Sequence, residues 1–182
     1  MGEELVPLGW EARELPLHSY VAFYYLDDSA LRRALSFLRL GLEEPDTFCV
    51  LLADGGQHER ILRELQHGYA GDVERARAEG RLATVGLIPE FEQLAATMRA
   101  AMDAVLGAGY KRVRVLGLVG WGLSWYPDAA WLKRCEAEIN RIVAEYPVVV
   151  VSLYDVPSFV DPLAIDIANG PQPVIVAHPT DS

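Results

Sequence analysis

The stretch Val21-Ala22-Phe23-Tyr24-Tyr25-Leu26-Asp27-Asp28-Ser29 decides how the rest of the chain is read. Its first five residues are rich in strand formers. Asp27, Asp28 and Ser29 then supply side-chain acceptors for a helix N-terminus. Leu31, Ala34, Leu35, Leu38 and Leu42 follow at helical spacing on one face, and Gly41 and Pro45 mark the end of that helix. A strand turning directly into a helix is the opening unit of an α/β sheet. Where such a unit grips nucleotide phosphates, the turn reads Gly-x-x-x-x-Gly-Lys-Ser/Thr. There the glycines let backbone N–H groups wrap the phosphates and the lysine neutralises them. Here two aspartates occupy the turn, and no such motif occurs elsewhere. Gly117, Gly120 and Gly122 have the wrong spacing for a dinucleotide fingerprint, and Trp125-Tyr126-Pro127 follows them instead of a helix.

Outward from this unit the pattern repeats. The apolar run 48–53 reads as a strand buried on both faces, broken by Asp54-Gly55-Gly56. Ile61, Leu62 and Leu65 predict a short helix. The polar segment 70–80 is either a loop or an exposed helical extension. Residues 82–85 predict a third strand, 90–106 an amphipathic helix, and 113–119 a fourth strand. An aromatic loop at 121–127 leads to a helix over about 128–145, which buries Trp131, Leu132, Cys135, Ile139 and Ile142. Residues 148–154 form the most β-prone run, a short helix is expected near 161–168, and 174–177 close the pattern as a strand. Residues 1–16, with Pro7, Gly9 and Pro16, form a lead-in that is not a continuous helix. Strands alternating with helices imply a three-layer α/β sandwich with a mainly parallel sheet, in a single domain over 1–182. Ligands in such sheets lie outside the carboxyl ends of the strands.

Composition narrows the function classes. The chain has 182 residues and a net charge of −10, with 16 basic residues scattered along it, so direct nucleic-acid binding and attraction to anionic membranes are not expected. Cys49 and Cys135 are neither metal-spaced nor a disulfide framework and suit buried thiols in a reducing compartment. With no signal peptide and no membrane-length apolar run, the expected location is cytoplasmic. His18, His58, His67 and His178 show no ligand spacing, so no metal and no cofactor is expected.

Several residues could carry chemistry. Trp121, Trp125 and Tyr126 either line a pocket, cap the core or form a subunit contact. Asp155 ends the fifth strand, where a carboxylate either binds ligand or caps a turn. Glu136 and Asn140 lie one helical turn apart beside the apolar stripe, as a structural hydrogen bond or as a polar anchor in a pocket. His18 directly precedes the first strand and, taken alone, reads as structural or as a surface residue. Ser152 has no Gly-x-Ser-x-Gly surroundings that would mark a nucleophile.

In order and spacing these features line up. His18 precedes a strand ending Phe23-Tyr24, Phe37-Leu38 with Gly41-Leu42 closes the first helix, and a buried strand covers 49–52. Gly117 is followed by Trp121, Cys135-Glu136 by Asn140, an apolar strand by Tyr154-Asp155, and His178-Pro179 lies near the end. Over residues 17–179 the chain resembles the MEDS domain, the sensory domain of DcmR-type regulators of methanogens and methylotrophs. The resemblance implies a RecA/KaiC-like core lacking a P-loop. It implies a non-catalytic role in sensing small molecules, hydrocarbon derivatives among them, for signalling or transcriptional regulation. It carries a ligand-binding role onto His18, Tyr24, Trp121, Glu136, Tyr154 and Asp155. Two positions depart from the family's pattern: Leu118 stands where a Glu is common, and Ser152 where a Cys is common. No output module is read in the chain, so signalling is expected to require a regulator or kinase protein partner or self-association. The competing readings are a divergent enzyme with Glu136 and Asp155 as an acid–base pair, and a homodimeric interaction subunit built on Trp125.

Overall fold

The computed structural model describes residues 4–10, 12–25, 29–87, 90–119, 129–155 and 175–176; of residues 24, 25, 91, 129, 155, 175 and 176 the backbone alone is described. The expected caps at Asp27 and Asp28, the aromatic loop 121–127 and the helix near 161–168 lie outside these residues. In chain order the elements are β1 (Leu5–Pro7), β2 (Glu14–Pro16), β3 (Ser19–Tyr25), α1 (Ser29–Glu43), β4 (Thr47–Ala53), α2 (His58–His67) and α3 (Val73–Ala78). There follow β5 (Leu82–Gly86), α4 (Phe91–Gly107), β6 (Arg112–Val119), α5 (Ala129–Glu145), β7 (Val148–Asp155) and β8 (Ile175–Val176).

The main sheet has the order β5-β4-β6-β7-β3-β8, and every neighbouring pair is parallel. Alternate residues of each strand point to opposite faces, and this splits the core into two layers. Val21, Phe23, Leu51, Leu116, Leu118, Val149 and Val151 pack with α1, α2 and α3. Tyr20, Ala22, Val50, Val115, Val148, Val150 and Tyr154 pack with α4 and α5. A strand covered on both sides needs apolar residues at every position, which explains why 148–151 are four valines, all at most 2% exposed. Both cysteines are buried free thiols. No helix among the described residues is long and apolar enough to cross a membrane.

The polar segment 70–80 is a helix because its charges stay outside. Val73 and Ala76, three residues apart, are buried, and Asp72 caps the helix by accepting from the Arg75 backbone N–H at 3.0 Å. The lead-in forms a β1–β2 hairpin that seals the outside of α1. Gly9 at its turn has φ +89°, and a Cβ there would stand 2.8 Å from Ser36 Cβ. Trp10 meets Phe23 edge-on at 5.3 Å. Beneath this cover lies Arg114 of β6, fully buried. It donates to the carbonyls of Pro7 (2.8 Å) and Phe37 (3.1 Å) and to Glu44 Oε1 (2.7 Å), and its guanidinium stacks over the Phe37 ring at 5.1 Å. Burial pulls its pKa down and Glu44 opposes that pull.

Candidate functional site

The face of the sheet under α5 holds a polar cluster in an otherwise apolar layer. Tyr20 on β3, Ser152 and Tyr154 on β7 point to that face by strand alternation, and Glu136 projects from α5 toward them. Tyr154 donates its phenol hydrogen to Glu136 Oε1 at 3.1 Å, and Tyr20 donates to the same oxygen at 3.2 Å. The two phenol oxygens stand 3.4 Å apart. Tyr20 pairs with Val150 and Tyr154 with Tyr24, so the tyrosines start about 13 Å apart along the strands. Their rings lean toward one another to converge on the carboxylate.

The environment sets the charge states. Tyr20 and Tyr154 are 5% and 3% exposed. Burial pushes the Tyr20 phenol well above its ordinary range, and the Glu136 carboxylate pushes it further. Burial likewise raises the Glu136 carboxyl, while the two phenol hydrogen bonds hold it back. Beside Glu136, burial raises the Cys135 thiol to about 12, so Cys135 is an inert apolar group. Tyr20 keeps its proton at any physiological pH, so it cannot activate Ser152, with which it also shares a hydrogen bond.

Next to the cluster a cleft opens between α4 and α5, with an empty volume of about 510 Å³ including the solvent at its mouth. Leu94 and Met98 of α4 and Trp131 and Ile139 of α5 form its sides. Gly117, Ser152 and Tyr154 form its floor on the sheet. Gly117 matters here because it contributes no side chain to that floor. Ion pairs from Arg99 to Glu138 and from Arg134 to Glu92 tie the two helices together beside the cleft. Among the described residues no group of three or more His, Cys, Asp or Glu side chains is arranged to hold a metal ion.

Of the six positions singled out in the sequence, the structure brings Glu136 and Tyr154 into direct contact. His18 stands at the opposite, amino end of β3, about 20 Å along the strands from the level of Tyr154. There its Nδ1 lies 3.1 Å from the Val143 carbonyl, and its backbone takes a left-handed φ of +67°. It ties the start of β3 to the end of α5. Tyr24 and Asp155 have described backbones only, in register with Tyr154 and Tyr25 respectively. Trp121 lies outside the described residues. Asn140 donates to the Glu136 backbone carbonyl at 2.9 Å. The two departures also separate: Leu118 is buried on the α1 side of the sheet, away from the cleft, whereas Ser152 forms part of the cleft floor. Tyr20 was missed, because a tyrosine in a β-prone run carries no local sign of a partner 116 residues away.

The comparison with curated proteins gives no match. Among solved structures, a KaiC-like protein of the hyperthermophilic archaeon Pyrococcus horikoshii OT3 is similar over 91% of this chain and 77% of its own, with a TM-score of 0.62 and 17% identity. That likeness shows a RecA/KaiC-type α/β fold. The family described as MEDS, the methanogen/methylotroph DcmR sensory domain, matches residues 20–169. That match covers most of the chain, and on it the chain belongs to the MEDS family of sensory domains.

Proposed function

We propose that this domain senses a small, largely apolar molecule by binding it in the cleft between α4 and α5, without catalysing a reaction. The observation that carries this reading is the cleft itself: apolar sides of Leu94, Met98, Trp131 and Ile139 meet a floor that carries Ser152 and Tyr154. A concave apolar pocket with a few convergent polar groups is the usual form of a small-molecule site. The inert Cys135 and the proton-retaining Tyr20 favour binding over chemistry. The signal passes to a regulator or kinase partner in the cytoplasm, since α4 and α5 are surface elements whose spacing a ligand can alter.

Thermal-shift screening tests the reading. Small apolar molecules should raise the melting temperature of the wild type. Ala95→Phe, which fills the cleft from α4, should remove that response while leaving the fold intact by circular dichroism. A large shift from a nucleotide with magnesium, with none from any apolar compound, would overturn it.

A further inference from the structure

We propose that β5 pairs antiparallel with β5 of a second copy of this chain, about a two-fold axis at Thr84, so that two sheets join into one. The first argument is the open edge. β5 lies at one end of the sheet, with β4 on one side of it only. Cys49 donates its backbone N–H to the Arg81 carbonyl at 2.9 Å, and Leu87 donates to the Ala53 carbonyl at 3.2 Å. In a parallel ladder this phase turns the backbone groups of Ala83 and Val85 toward β4. Those of Leu82, Thr84 and Gly86 therefore face outward, and none of the described residues bonds to them. Sheet edges are ordinarily blunted by lysine, proline or a bulge. The run Leu82-Ala83-Thr84-Val85-Gly86 has neither residue, and its register with β4 is continuous.

The second argument is what flanks the edge. An apolar groove runs between β5 and α4, lined by Val85, Thr97, Met98 and Ala101. The charges of α4 are turned the other way: Glu92, Arg99 and Asp103 bond to Arg134, Glu138 and Tyr146. The third argument selects a second copy as the occupant. With Thr84 opposite Thr84, Leu82 stands opposite Gly86 of the other copy and Ala83 opposite its Val85. All the outward backbone groups then meet as hydrogen-bonded pairs, and each large side chain faces a small one. A Cβ built on Gly86 meets nothing within 4 Å, so there is room for that neighbour. Antiparallel pairing also lays Arg81, just before β5, toward Glu90, beyond the end of the other β5. Two chains of net charge −10 repel each other, and β5 lets them meet along a strand that carries no charge.

Sedimentation equilibrium of the full chain over a concentration series tests the pairing. A strip of five residues makes a small interface, so the wild type should dimerise reversibly with a dissociation constant on the order of 10–100 µM. Thr84→Pro removes an N–H that faces outward, which an edge strand tolerates. It should keep the wild-type circular dichroism and weaken dimerisation by at least about tenfold. Cross-linking fixes the register. Positions 83 and 85 of the two copies stand directly opposite as a close pair, whereas 83 and 83 are diagonal. Ala83→Cys mixed with Val85→Cys should therefore form a disulfide dimer under mild oxidation severalfold more readily than either variant alone; the native Cys49 and Cys135 are buried and do not compete. A wild type that stays monomeric throughout the series overturns the proposal. A folded Thr84→Pro that associates like the wild type also overturns it, because the copies then meet elsewhere. Should Thr84→Pro fail to fold, the cysteine mixture decides, and equal cross-linking within and between the variants counts against the pairing.

Discussion

Replacing Arg114 with methionine tests whether the buried guanidinium holds the hairpin and α1 to the sheet. Methionine retains most of the side-chain length and an apolar contact with Phe37, so the cavity contribution is small. The substitution removes the hydrogen bonds to Pro7 and Phe37, which contribute about 1 kcal/mol each. It also removes the charged bond to Glu44, about 1.5–3 kcal/mol in a buried setting. That last figure is discounted because the Glu44 side chain is 29% exposed and can rehydrate. Against these losses stands the relief of burying a cation whose Nε has no partner. The net expectation is a loss of about 2–3 kcal/mol. With a urea slope of about 2 kcal/mol/M, the unfolding midpoint should fall by about 1–1.5 M. Glu44→Gln should cost less in the Arg114→Met background than in the wild type, since the two residues share a bond. An unchanged or raised midpoint for Arg114→Met would refute the reasoning and show that the guanidinium's desolvation outweighs its three bonds.

The same substitution at two glycines should give opposite results in a chemical melt. Gly41→Ala would place its Cβ 2.6 Å from Cys49 Sγ and 2.7 Å from Arg114 Cδ, and Arg114 is too well held to yield. The clash, about 1–3 kcal/mol, should exceed the gain of about 1 kcal/mol in helix propensity. Gly117→Ala meets nothing closer than 3.4 Å and should fold with unchanged or slightly higher stability. Glu136 should leave a signature in the pH dependence of the melting temperature. Its carboxyl pKa is raised on folding, so its contribution to stability is fully present below the unfolded-state pKa and is lost as pH rises through the folded one. Glu136→Gln, which cannot ionise, should therefore gain on the wild type as pH rises above about 4, the ordinary glutamate value, until the folded-state carboxyl has ionised. A flat difference would show that Glu136 is not desolvated.

The parallel α/β class was legible because the apolar runs 48–53 and 148–151 leave no polar face, and long helical stripes lie between them. The segment 70–80 stayed open because its inward-facing pair, Val73 and Ala76, is too small to stand out among charges. The hairpin of β1 and β2 was hidden by its prolines, which exclude helix without specifying pairing. Glu136 could be placed at the edge of the helical stripe from spacing alone. Its partners could not, because strand order brings Tyr20 and Tyr154 together and no local pattern encodes that order. Arg114 reads in sequence as an ordinary charge in a strand, and the placement of α1 and the hairpin over it makes it a buried cation.

The position of β3 has a consequence for the chain as it is made. Ser19 pairs with Val149 and Phe23 with Ile175, so both partners of the first long strand come from the last third of the sequence. At about 5–20 residues per second, β3 leaves the ribosome roughly ten seconds before β7 does. During that interval Val21 and Phe23 have no strand beside them, and among the described residues α1 and Trp10 are at hand to cover them. A nascent chain released before residue 148 would carry an open, apolar sheet edge of the kind that promotes aggregation. Synthesis of this domain is thus a race in which the first strand of the main sheet waits for partners made near the end.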